Sequence, residues 1–126
     1  MFQDANIVFA VTNYFETFAT SGPEEAMKVE YAQGVNMAKA ASVTTGLEHF
    51  IWSTLPNRKA ISNGKCPVPH CDAKAQVDTF IKKDKALLAK TTFLWTGFFA
   101  ETMHHPMLLP NLLVCNSLLV SYLQIS

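Results

Sequence analysis

Asn6 to Thr12 reads NIVFAVT, an apolar, β-branched run with no charge and no polar alternation, closed by Asn13. A run of this kind belongs to a strand covered on both faces, and so to a sheet with helices above and below it. Similar runs return at His49 to Ser53 (HFIWS) and at Thr92 to Thr96 (TFLWT), the last breaking at Gly97-Phe98-Phe99. Between these runs the apolar period changes from strand to helix. The sequence therefore predicts strand, helix, strand, helix, strand, the alternation of a parallel α/β sheet.

The first helix is expected behind Ser21-Gly22-Pro23-Glu24, which has the residues of a capping box with proline in the first turn. Met27, Tyr31, Val35 and Ala38 then recur at helical spacing and predict its buried stripe. Gly34 and Ala38 are small enough to let the helix lie close against a sheet, and Gly46 is expected to end the connection. The second helix is expected from about His70, with Ala73, Val77, Phe80 and Ile81 buried and Lys82 and Lys83 at its negative end.

At 126 residues the chain suits one domain with a single core. Ten basic and ten acidic side chains cancel, so bulk charge supports neither nucleic-acid nor membrane-surface binding. The amino terminus carries Asp4 and no basic flank, unlike a secretory signal, and three cysteines point to a reducing compartment. The expected location is the cytoplasm, with the nucleus as the alternative. Pro106 to Ser126 holds no charge, but Pro110, Asn111, Asn116, Ser117, Ser121 and Gln124 interrupt it, which argues against a spanning helix. Residues 108–126 are expected to be an apolar segment separate from a domain at 1–107, buried or facing a partner.

Ligands of an open parallel sheet sit beyond the carboxyl ends of its strands. Here that places attention on the stretch after Ile51 and Trp52, where Ser53 and Thr54 lead into a loop rich in proline and then into His70 and Lys74. The last two are four apart, so on a helix they share one face and can address one object. Cys66, His70 and Cys71, with His104 and His105, match no good zinc spacing, and no metal is expected. Lys82, Lys83, Lys85 and Lys90 read most simply as a solvated face.

Taken together, VFAVTNYFE, HFIWSTLPN, VPHCDAKAQVDTFI and TTFLWTGFFAE resemble, in this order, the NmrA-like proteins, an atypical branch of the short-chain dehydrogenase/reductase superfamily named after a fungal regulator of nitrogen metabolite repression. The resemblance covers roughly residues 5 to 103. It implies a Rossmann-type domain linked to NADP or NAD, acting as an atypical oxidoreductase or as a redox-sensing regulator. The Tyr-x-x-x-Lys of the superfamily stands here as His70-Cys-Asp-Ala-Lys74. By the family pattern, Thr12, Asn13 and Tyr14 lie along the cofactor, and Ser53 is the strand-end hydroxyl that polarises a carbonyl. Lys74 reaches the nicotinamide ribose, and Gly97, Phe98 and Phe99 close over the nicotinamide, with Thr96 where the family often has proline. His70 and Lys74 are thus the implied catalytic pair.

The departures are also specific. Such chains open with a strand, a Gly-x-x-Gly-x-x-Gly turn and a helix whose amino end holds the pyrophosphate. The five glycines here are Gly22, Gly34, Gly46, Gly64 and Gly97, scattered singly. If Asn6 to Thr12 is the family's fourth strand, this is a partial Rossmann-like sheet, the middle of a longer protein, and binding of the dinucleotide by this chain alone is expected to be weak. An apolar central strand then becomes an edge, which invites self-association or a protein partner. An interaction protein that has lost nucleotide binding is the alternative function.

Overall fold

The computed structural model describes Phe2 and residues 4–97, and residues up to Thr96 form one compact unit. Phe98, Phe99, the paired histidines His104 and His105, and the 107/108 boundary lie outside the described residues. The elements are β1 (Ile7–Ala10), α1 (Tyr14–Ser42), β2 (His49–Thr54), α2 (Arg58–Ile61), α3 (Pro69–Ile81), α4 (Lys85–Leu88) and β3 (Thr91–Trp95). The strands form one sheet in the order β1-β2-β3, parallel throughout, with Ala10 paired to Trp52 and Trp52 to Phe93. This is the three-stranded α/β arrangement expected from the sequence. The two short helices α2 and α4 were not expected; Asn57 and Asp84 cap them, each accepting from a backbone N–H of the first turn.

Alternation assigns each strand residue to a face. Ala10, Phe50 and Trp52 face α1 and α3, and with Ala38, Ala41, Leu47, Val77, Ile81 and Leu87 they make the core. Burying a side chain as large as Trp52 or Phe50 contributes about 1.5–3 kcal/mol. The other face carries Ile7, Phe9, Val11 and Leu94, which are 65%, 57%, 51% and 40% exposed. The prediction that β1 is covered on both faces is therefore corrected. Among the described residues it is covered on one, and its unbroken apolar run reflects a second face left open.

The first helix also differs from expectation. It begins at Tyr14, capped by the Asn13 side chain, which accepts from the Phe15 N–H at 3.1 Å. Its backbone breaks once, at Gly22, where φ is 80° and ψ 177°. That conformation is essentially restricted to glycine, and Pro23 restarts the helix behind it. Gly22 thus marks the junction, while the Ser21 hydroxyl pairs with that of Thr20, so the expected Ser21–Glu24 capping box is not what starts the segment. The helix stops at a right-handed cap, Val43, before Gly46 is reached.

The buried stripe of α1 is Ala26, Glu30, Gly34, Ala38 and Ala41, with Val35 beside it; Tyr31 lies at the surface and Met27 is half-buried. Smallness explains the choice of face. A Cβ on Gly34 would lie 2.6 Å from Val77 Cγ2 and 3.1 Å from the Trp52 ring, so only glycine lets α1 settle against both α3 and the sheet. In α3 the expected stripe of Ala73, Val77 and Ile81 is buried, with Phe80 partly so.

Candidate functional site

The carboxyl ends of β1 and β2 lie beside the start of α1 and the first turns of α3. Lys74, on α3, extends to this corner and is nearly buried, its side chain 11% exposed. Its Nζ donates to the Thr12 hydroxyl at 2.7 Å and to the Thr12 carbonyl at 3.2 Å, and lies 3.2 Å from Glu30 Oε1. The Thr12 hydroxyl donates in turn to the same Glu30 oxygen at 2.8 Å. An ammonium has three N–H donors, and three acceptors surround this one. The Trp52 ring lies beneath it, 5.5 Å from Nζ to the centroid, close enough for a cation–π contact. Glu30 is 1% exposed, and its second oxygen has no partner among the described residues.

His70 shares the face of α3 that carries Lys74, yet meets different company. Its ring centroid is 5.8 Å from those of Tyr14 and Phe15, and Phe18 stacks on Tyr14 at 5.6 Å. Tyr14 is buried and its hydroxyl donates weakly to the Pro23 carbonyl, 3.4 Å away. Burial pushes its phenol above the ordinary value, and the Glu30 carboxylate adds to the shift. The expected His70–Lys74 pair thus resolves into an aromatic cluster and a charged cluster, joined by the consecutive residues Thr12, Asn13 and Tyr14.

Ser53 is buried at the carboxyl end of β2, on the face opposite Trp52. Asn13 is exposed and its side-chain oxygen serves the cap of α1. Gly97 is exposed just beyond β3. Cys66 is exposed and Cys71 buried; burial raises the Cys71 thiol, while Arg58 beside it acts in the opposite direction. Among the described residues no three metal-binding side chains come together, and no helix is long and apolar enough to cross a membrane.

Three acids escaped the sequence reading, and all three organise the site. Glu30 anchors Lys74. Asp72 holds the loop, one oxygen accepting from the Lys59 N–H and the other from the Val68 N–H, both at 3.0 Å. Asp78 accepts from the Trp52 indole at 2.9 Å and so fixes the ring under Lys74. Burial raises the Asp78 carboxyl, against hydrogen bonds from Thr54 and Trp52 and the charges of Lys82 and Lys74. Glu30 had a signal: an acid at the exact centre of a small-residue stripe, Ala26-x-x-x-Glu30-x-x-x-Gly34, is buried only if something pays its charge.

A family model, that of the NmrA-like family, matches residues 1–116. The chain belongs to the NmrA-like family. The match runs past residue 103, where the resemblance was expected to stop, and past the expected boundary at 107/108. NmrA-like proteins typically bind NAD(P), so the corner can be tested for fit against that group. A nicotinamide ribose presents hydroxyls, and the corner supplies a cation and a hydroxyl at Lys74 and Thr12, with Ser53 and Thr54 at the neighbouring strand end. These residue types fit the ribose. The diphosphate needs closely spaced backbone N–H groups from a glycine turn, and the single glycines of this NmrA-like sequence do not provide one within these 126 residues.

Proposed function

We propose that this is an NAD(P)-linked regulator that senses the dinucleotide, rather than a reductase that uses it. The observation that carries the reading is the Lys74 ammonium, surrounded by Thr12 and Glu30 inside the protein. Lysine-assisted hydride chemistry of the superfamily relies on a phenol made acidic by a free neighbouring ammonium. Here the position of that phenol is His70, packed on Tyr14 and Phe15, and the ammonium is already engaged. In this reading Thr12 and Lys74 meet the nicotinamide ribose, Ser53 lies near the nicotinamide, and NADP or NAD supplies redox state as the signal.

Saturation-transfer NMR with millimolar NADP tests this. The nicotinamide and its ribose should receive saturation while the adenosine does not, with a dissociation constant no tighter than about 1 mM. The absence of saturation at the nicotinamide and its ribose would contradict the reading, while saturation of the adenosine protons, or micromolar binding by calorimetry, would show that these residues also hold the diphosphate. A second reading, a protein that works by binding another polypeptide, draws on the open apolar face of Ile7, Phe9, Val11 and Leu94. Light scattering separates the two, since self-association or capture of a partner without any dinucleotide contact supports the second.

A further inference from the structure

We infer that Glu30 is the positioning residue of Lys74, and that the pair, not the lysine alone, sets how the ammonium is presented at the end of β1. The inference rests on the dinucleotide reading only for what the ammonium is presented to. Glu30 Oε1 receives both the Lys74 ammonium, at 3.2 Å, and the Thr12 hydroxyl, at 2.8 Å. Because the one hydroxyl proton of Thr12 goes to Glu30, an oxygen lone pair is left for Lys74, which it meets at 2.7 Å. Glu30 therefore orients both partners at once.

The three acceptors of the ammonium are not equivalent. Giving up Glu30 would leave two buried charges apart, which is strongly unfavourable. Giving up the Thr12 hydroxyl would break the shortest contact. The bond to the Thr12 carbonyl, at 3.2 Å, separates no charges when it is lost. That donor is the one Lys74 yields to a ligand hydroxyl, while Glu30 and the Thr12 hydroxyl keep the nitrogen in place.

The test is the exchange of lysine ammonium protons with water, read by nitrogen-detected NMR on the full chain. Exposed lysines such as Lys28, its side chain 74% exposed, should exchange too fast to give a sharp signal. Lys74 should give one slowed signal, assigned by its loss in Lys74→Met. Glu30→Gln should speed this exchange at least tenfold while the amide spectrum stays native, and Glu30→Asp should recover part of the slowing. Thr12→Val should speed it less than Glu30→Gln does. A Lys74 signal exchanging as fast as Lys28 in the wild type, or unchanged in a folded Glu30→Gln, overturns the inference; should Glu30→Gln not fold, Glu30→Asp decides, with exchange no faster than in the wild type overturning it. Millimolar NADP should shift the Lys74 signal in the wild type and at least tenfold less effectively in Glu30→Gln. If the signal is slowed and depends on Glu30 yet NADP leaves it unmoved, the positioning role stands and the dinucleotide reading falls.

Discussion

On one face of the sheet, Phe50 and Trp52 are sealed by α1 and α3, and the acids buried there find specific partners: Glu30 Oε1 meets Lys74 and Thr12, and Asp78 meets the Trp52 indole. On the other face Ile7, Phe9, Val11 and Leu94 stand open, with no charge among them. Both faces are built from similar apolar runs, so hydrophobicity alone does not separate them. Polar groups do. Burying a charge requires partners brought from distant parts of the chain, and those partners fix a geometry; an apolar face can be covered by many surfaces and fixes none.

If that contrast is right, the largest effects lie among the charges of the sealed face. Glu30→Ala should cost about 3–5 kcal/mol in urea unfolding, because it strands the Lys74 ammonium inside. A loss under about 1 kcal/mol, the range of an exposed pair, would mean that water reaches the lysine. Gly34→Ala should come next, at about 1–3 kcal/mol, since its methyl group would overlap both Val77 methyls and press on the Trp52 ring. The gain in helix propensity of about 1 kcal/mol offsets only part of this.

Asp78 gives the contrast a pH dependence. Its folded carboxyl titrates above the ordinary value, chiefly through burial, so the folded protein takes up this proton before the unfolded chain does. Its contribution to stability should therefore rise as pH falls from above the folded value towards the ordinary carboxylate value, and level off below both. Asp78→Asn keeps an acceptor for the Trp52 indole. It should cost no more than about 1 kcal/mol at neutral pH and remove that rise. An unchanged pH profile would locate the titration elsewhere.

The smallest effect on stability is expected on the open face. Phe9→Ser should change unfolding by no more than about 0.5 kcal/mol, as for other exposed positions. It should nonetheless reduce any self-association seen by light scattering of the wild type, which the open face and the edge of β1, unpaired among the described residues, favour. A loss of several kcal/mol would show that Phe9 is covered in solution.

The three strands, their alternation with helices and α3 were legible in the sequence because each rests on local period and composition. The NIVFAVT run identified a strand correctly but not its surroundings, since an apolar run reads the same whether its second face is covered or open. On α1 the expected Val35, Ala38 and close-packed Gly34 are buried, but Met27 and Tyr31, the larger apolar residues, are not the centre of the stripe, because contact with Val77 and Trp52 selects the smaller Ala26 and Gly34. Lys74 was singled out by its spacing from His70 beyond a strand end, and Thr12 through the family pattern. Glu30 was not, because its partners lie 18 positions back, at Thr12, and far along the chain on α3, and no local spacing encodes such a meeting.

Whether Glu30 and Lys74 act as one buried unit is decided by a double-mutant cycle in urea unfolding with Glu30→Gln, Lys74→Met and both together. The two single losses should exceed the loss in the double variant once summed, with a coupling of at least about 2 kcal/mol, within the range for contacting residues. Simple additivity, with coupling below about 0.5 kcal/mol, would contradict this and leave Lys74 energetically independent of Glu30.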